Sequence, residues 1–500
     1  MYQLYRDRPF LVLLIILANI ALTTWCLNLD PVINNDGVTY ITLAQLMLDG
    51  NWSSAFEVYS WPYYSAFIAG IAKLTFLEIE HAAFFLNTLL AISLTFAFVC
   101  VVAELSNNNS RVIVIATLVI VFFPSITKYR SFIIRDFGYL SCYLWSLYFL
   151  FKYCNTGKKS DLASWCASVL LSCLFRFEGI AFLLIAPYFL FLFTPKKSPH
   201  HKAITLTLTA VLVLVSISLA TWYLNDKYAG LIEIARASGK DVHNAYDLFL
   251  AQTREQLSGE ELTAWGLTGV IVSNFGAVFY ELIRRMAVLY FFFALYSYIK
   301  GNDFKNVLVK QMWLVYVLSN LSLLMAYSLY NNFLVSRYTM ATALTLLLLS
   351  PLVINRMIDS IKQINHVKRG GVILMLSLLA LSSIEGLDVK TNKNHIKQSG
   401  QWIKQQLSES SRIFSNDPLI VYYAGRDSNE RLNDAYTTPR LKTYLGNNRM
   451  SEFDYVALST KPSYNDEETL RKTLEQRYGA ARKIINGVDR RQVHIYKISR

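Results

Sequence analysis

Stretches of about twenty apolar residues recur along this chain from Pro9 to Leu387 and cease at Asp388. A hydrocarbon core roughly 30 Å thick takes about 20 helical residues to cross, and inside it the backbone must satisfy its own hydrogen bonds. The recurrence therefore points to a bundle of membrane helices over residues 1–387. With 54% of 500 residues hydrophobic and 17% charged, a single soluble core does not account for the sequence. Eleven spans are expected, near 9–28, 82–104, 111–127, 136–152, 162–177, 179–194, 203–224, 283–299, 311–330, 338–355 and 370–387.

Charge sets the expected orientation. The first span follows Arg6 and Arg8 and lacks a small-residue cleavage site, so it reads as a retained anchor with a cytoplasmic N-terminus. Trp61–Leu77 is also apolar, but it is short, contains Pro62 and Gly70, and would invert every later loop if it crossed. Left uncrossed, it gathers Arg111, Lys152, Lys158, Lys159, Lys196, Lys197, Lys202, Lys300, Lys305, Lys310, Arg356, Lys362, Lys368 and Arg369 on the cytoplasmic side. The opposite loop, 29–81, then holds Lys73 against Asp30, Asp36, Asp49, Glu57, Glu78 and Glu80, in keeping with the positive-inside rule.

Val38–Asp49 and Trp61–Leu77 are accordingly expected as helices lying on the outer surface of the membrane. Eleven crossings put the C-terminus outside as well. Residues 388–500 are expected to form a small extracytoplasmic α/β domain, with helices at Ile396–Leu407 and Glu467–Tyr478 and strands at Tyr455–Leu458 and Val493–Ile498. A second outer loop is expected over 225–282, its polar part running from Asn225 to Ala264. The expected fold class is mainly α: a polytopic bundle of about eleven transmembrane helices, residues 1–387, followed by the soluble domain, residues 388–500.

Several function classes are disfavoured. The net charge of +13 is spread over short loops and the tail rather than one basic stripe, so no nucleic-acid partner is expected. The six cysteines lie in or beside apolar spans, which argues against a disulfide framework or a thiolate-ligated zinc. There is no P-loop, dinucleotide fingerprint, His-Glu-x-x-His or Gly-x-Ser-x-Gly.

What remains is a set of polar residues that this topology brings to the outer side. Asp36 opens the first outer loop; Lys128, Arg130, Arg135 and Asp136 belong to the second, Arg176 and Glu178 to the third, and Arg337 and Tyr338 to the fifth. Ionisable groups at membrane depth are costly unless paired or wet, which makes each a functional candidate. A carboxylate can take the proton of an attacking hydroxyl, and arginines can hold a departing phosphate bidentately. The set suits transfer of a group from a lipid phosphate. Each residue also has a plainer role open to it. Asp36 suits a helix N-cap, Arg135–Asp136 a structural ion pair, Arg176–Glu178 a hinge pair, Arg337 a headgroup anchor, and Trp61, Tyr63 and Tyr64 an interfacial aromatic belt.

In the order of its motifs the chain resembles the GT-C glycosyltransferases, which include protein O-mannosyltransferases, oligosaccharyltransferases and bacterial transferases that modify lipid A. The resemblance covers roughly residues 1–390. It rests on Asn35-Asp36-Gly37-x-x-Tyr40 after the first span, Trp61-Pro62-Tyr63-Tyr64, Arg135-Asp136, Arg176-Phe177-Glu178-Gly179 and Ser336-Arg337-Tyr338. It implies an inverting transfer of a sugar from a polyprenyl-phosphate donor to a glycan, lipid or protein acceptor on the non-cytoplasmic side of a membrane, such as the bacterial inner membrane. Asp36 would be the catalytic carboxylate, and Tyr40, Trp61, Lys128, Arg130, Arg135, Asp136, Arg176, Glu178, Arg337 and Tyr338 would bind substrate. Asp36 and Asp136 match acidic positions that in some members help hold a divalent metal, Mg or Mn. The chain departs from the pattern at Gly37, where several members carry a second acid, and in offering one Asp rather than Asp-x-Asp in the second loop. Two carboxylates alone make a weak site for such an ion. A polymerase or ligase of lipid-linked glycans needs similar cations, and a transporter or flippase would use outer charges along a path. The chain lacks the paired Gly/Pro-broken spans of repeat-built transporters.

Overall fold

A computed structural model describes residues 8–194, 204, 207, 259–301, 304–331, 334–361, 363, 366–387, 393–426, 437–461 and 465–498. Most of the span expected at 203–224 and the polar segment 225–258 lie outside these residues. The chain divides into two compact units. One comprises Met1–Ile15, Ala91–Ile126 and Asp136–Glu385; the other comprises Ile16–Leu90, Thr127–Arg135 and Gly386–Arg500. The second holds the tail together with the residues expected as the first outer loop.

Among the described residues, four helices are long and apolar enough to cross a membrane: Pro9–Leu29, Ile79–Leu105, Val307–Leu329 and His366–Glu385. A fifth crossing results if Ser336–Leu347 and Ser350–Ser360, bent by 45°, act as one. Twenty-one residues in Pro9–Leu29 span about 30 Å at 1.5 Å each, enough for a hydrocarbon core. The outward faces of these helices are apolar. In His366–Glu385 Leu379 is the one buried residue, and Leu374, Leu381 and Ile384 are at least 60% exposed. A surface of that kind is solvated by lipid rather than water, and the protein is a multi-pass membrane protein.

Several expected spans are shorter or more polar than a crossing helix. Ser110–Val121 covers 12 residues, and Asp136–Thr156, Lys159–Phe175 and Ile180–Phe193 form a run of neighbouring helices. The span expected at 283–299 is broken. Helix Gly259–Arg285 ends in Arg284 and Arg285, both hydrogen-bonded to Glu281, and Leu289–Lys300 begins after Ala287 and Val288, which have φ of 47° and 57°. Residues 259–282, expected as outer loop, are thus helical. Polar contacts bind the helices of this unit together. Asn320 donates to the Tyr143 hydroxyl at 2.7 Å and Trp165 to the Tyr316 hydroxyl at 2.9 Å. Lys152 and Asp161 pair at 3.1 Å beside the helix turn at Gly157, whose φ is 67°.

The other unit contains helices Asn35–Leu48, Trp52–Val58 and Tyr63–Thr75, in the region where two surface helices are expected. Its tail carries four strands, β1 Ile413–Ser415, β2 Tyr455–Thr460, β3 Lys483–Asn486 and β4 Gln492–Lys497, in the order β1-β2-β4-β3. β1 and β2 are parallel and the other pairs antiparallel. Phe414, Val456, Leu458 and Tyr496 of the sheet pack with Leu441, Leu445, Leu470 and Leu474 of helices Thr438–Gly446 and Asn465–Tyr478 to form its core.

Candidate active site

In the helical unit the charged residues meet because two glycines admit a close approach. A Cβ at Gly138 would collide with the Phe175 ring, and one at Gly179 with Ser172 and Cys173. With no side chains there, Arg176 can leave the end of helix Lys159–Phe175 in an extended conformation and reach the first turn of Asp136–Thr156. Its Nη1 donates to Asp136 Oδ1 at 2.6 Å, and its Nη2 donates to Glu178 Oε1 at 2.5 Å across the 3-10 turn Phe177–Gly179. The turn Ser336–Thr339 supplies Arg337, whose Nε lies 3.9 Å from Asp136 Oδ2. It also supplies Tyr338, whose ring centroid is 4.0 Å from the Arg176 guanidinium. Asp136 and Arg176 are 5% and 6% exposed.

These groups line a cavity of about 80 Å³ with Tyr139, Asn320 and Tyr327. That is space for about five waters, or for one phosphate-sized group. Two guanidiniums face two carboxylates, so the set is neutral by itself. Charge-assisted pairs in such surroundings are strong only when fully hydrogen-bonded. Tyr139, Asn320 and Tyr327 escaped the sequence reading, although each carried a signal. Tyr139 lies one helical turn beyond Asp136, and Asn320 and Tyr327 are polar groups seven residues apart on one face of an apolar helix.

The remaining candidates belong to the other unit. Asp36 is half-buried in the first turn of Asn35–Leu48, where a carboxylate complements the helix dipole. It is not the N-cap. That position is Asn34, whose Oδ1 accepts from the Ile133 N–H at 2.8 Å. Gly37 is confined by this contact, since a Cβ there would come within 3.0 Å of Asn34 Oδ1 and 3.1 Å of Ile133 Cβ. A second acid would displace the Asn34 anchor. Tyr40 is 7% exposed and packs edge-on against Tyr64 at 4.9 Å. Trp61 packs against Tyr63 at 5.3 Å, exposed Lys128 lies over Tyr129 at 5.7 Å, and Arg135 lies over Tyr59 at 5.6 Å. Arg130 is 2% exposed, with Nη1 donating to Asn19 Oδ1 at 2.9 Å.

A divalent ion does not fit at Asp136, because guanidinium groups face both of its oxygens. Among the described residues no three His, Cys, Asp or Glu side chains gather in a way that could hold one.

At the level of sequence, neither a protein-family model nor a curated protein matches the chain. Solved structures do. The Archaeoglobus fulgidus oligosaccharyltransferase, solved with a tethered acceptor peptide, aligns over 88% of this chain and 68% of its own at TM-score 0.53 and 11% identity. ArnT from Cupriavidus metallidurans, solved with undecaprenyl phosphate, aligns over 97% of both chains at TM-score 0.51 and 11% identity. Both are GT-C glycosyltransferases.

The chain has the GT-C fold.

At 11% identity the likeness extends to architecture, and the chemistry has to be argued from this chain's own residues.

Proposed function

We propose that the protein is a membrane glycosyltransferase that moves a sugar from a polyprenyl-phosphate donor to an acceptor hydroxyl on the non-cytoplasmic side. The observation that carries this reading is the cavity lined by Asp136, Arg176, Glu178, Arg337 and Tyr338 in a unit built of apolar helices. Two oriented guanidiniums at an apolar wall suit a phosphate whose tail lies in lipid. The two similar proteins add support, one having been solved with undecaprenyl phosphate and the other with an acceptor peptide.

In the proposed reaction Asp36 takes the proton of the acceptor hydroxyl as its oxygen attacks the anomeric carbon. The new C–O bond forms as the bond from that carbon to the phosphate oxygen breaks, so the sugar inverts. The phosphate keeps the electron pair and leaves as an anion, neutralised by Arg337 and Arg176. Asp136 and Glu178 keep Arg176 in place between turnovers. No step calls for a metal.

Asp36→Asn keeps the side-chain shape and removes the base. It should abolish transfer of label from lipid-linked sugars while the purified protein melts at an unchanged temperature. Full activity in that variant would refute the assignment. The reading also places eleven spans in the membrane, with residues 388–500 outside. Reporter fusions after Lys152 and after Lys390 should then report opposite sides, and a same-side result rules that topology out.

A further inference from the structure

We propose that Tyr423 is a positioning residue for the Asp36 carboxylate, so that the C-terminal segment takes part in the transfer step. This rests on the reaction proposed above. Residues 30–34 form a short strap between the end of helix Pro9–Leu29 and the helix that carries Asp36. Val32, Ile33 and Asn34 are buried, Ile33 completely. The strap has few backbone bonds of its own and takes them from elsewhere in the same unit.

One side of the strap is held by the tail. The Ile33 N–H donates to the Tyr423 hydroxyl at 3.1 Å. Lys397 Nζ donates to the Pro31 carbonyl at 3.3 Å and sits 5.1 Å from the centroid of the Tyr423 ring. The Lys393 N–H reaches Asp30, which is 2% exposed, at 3.4 Å. On the other side Asn34 is tied to Ile133 at 2.8 Å. Asp36 follows Ile33 by three residues, so a strap freed at Ile33 shifts the first turn of its helix.

Tyr423 is itself rigidly placed. Gly400 in helix Asn394–Gln406 lies so close to helix Pro418–Tyr423 that a Cβ there would come within 2.7 Å of the Ile420 carbonyl oxygen and 2.5 Å of Tyr423 Cβ. Burial, together with the acids Glu80 and Asp30, raises the Tyr423 pKa, so the phenol stays neutral. A phenylalanine in its place fills the same volume and leaves the buried Ile33 N–H without its acceptor. The proton-accepting carboxylate then loses registry with the substrate, and a displacement of about 1 Å at a reacting group can lower a rate by about a hundredfold.

The test uses full-length protein in detergent with tritium-labelled lipid-linked sugars extracted from the expressing membranes, and undecaprenyl phosphate as the binding probe. For Tyr423→Phe the expected result is a kcat lower by roughly ten- to a hundredfold, with KM and undecaprenyl phosphate affinity unchanged. Tyr422→Phe on the same helix, which loses a hydroxyl contact to Glu80 at 3.2 Å and leaves the Ile33 N–H its acceptor, should keep kcat within about twofold. An unchanged kcat in Tyr423→Phe, or equal losses in the two variants, overturns the positioning role. If Tyr423→Phe fails to accumulate, Lys397→Met removes the neighbouring tail contact and is read by the same outcomes. Asp36→Asn is assayed alongside. Activity there removes the proposed reaction and this inference together, whereas an inactive Asp36→Asn beside a fully active Tyr423→Phe removes the inference alone.

Discussion

Among the described residues two arginines are buried, one in each unit, and their surroundings differ in kind. Arg176 is 6% exposed, bonded to two carboxylates, covered by the Tyr338 ring and open to a cavity. Arg130 is 2% exposed and hydrogen-bonds the neutral amide of Asn19 on the first helix. Burial pushes its pKa down to about 10, which leaves it charged at physiological pH. Both were phosphate candidates in the sequence. Burial alone does not distinguish the two cations; the acids and open volume beside Arg176 do. In the reaction proposed above Arg176 meets a change of charge, whereas Arg130 hydrogen-bonds the first helix.

The largest effect expected from this difference is on stability. Arg176→Met takes from Asp136 and Glu178 the cation they share, leaving Asp136 facing Arg337 at 3.9 Å, and breaking a buried pair costs about 3–5 kcal/mol. Arg130→Met removes a charged hydrogen bond to the Asn19 amide, at a cost of about 1–3 kcal/mol. Unfolding in detergent should separate the two variants clearly, and Asp136→Asn added to Arg176→Met should recover part of the loss. Equal destabilisation by the two single variants would break the comparison, since it would mean the carboxylates are satisfied without Arg176.

What the sequence could show follows from which interactions are local. Apolar length is a property of consecutive residues, so the helices Pro9–Leu29, Ile79–Leu105 and His366–Glu385 were legible. The break at Ala287 and Val288 was not, because no glycine or proline marks it and the charges beside it pair within their own helix. Asp136, Arg176, Glu178, Arg337 and Tyr338 were visible as polar residues at the ends of apolar spans, and the structure gathers these five around one cavity. Their partner choice was hidden. Arg135–Asp136 reads as a pair in sequence, yet Asp136 bonds Arg176, forty residues away. The Ile33–Tyr423 contact spans 390 residues and leaves no local pattern at all.

The smallest expected effect concerns charge in the tail, where cations lie near groups that must stay neutral. His395 is 4% exposed and His494 3%. Burial lowers the pKa of both, helped at His395 by Arg491 and Lys393, and at His494 by Arg471 against the opposing pull of Glu475 and Glu468. With folded pKa values below the ordinary 6.5, both imidazoles are neutral in the folded and unfolded chain at pH 8. As the pH falls below 6.5 the unfolded chain takes up protons first, so stability declines and continues to decline until the folded pKa is passed. Glu467, whose pKa burial raises from 4.5, acts in the opposite sense but in a lower window. A melting temperature followed from pH 8 to 5.5 should therefore fall, and His395→Gln with His494→Gln should flatten the slope. A slope that persists in the double variant would assign the acid sensitivity elsewhere. The contrast with Arg176 would then lose its second half, because these imidazoles, unlike that guanidinium, owe their charge state to burial without a carboxylate bound to them.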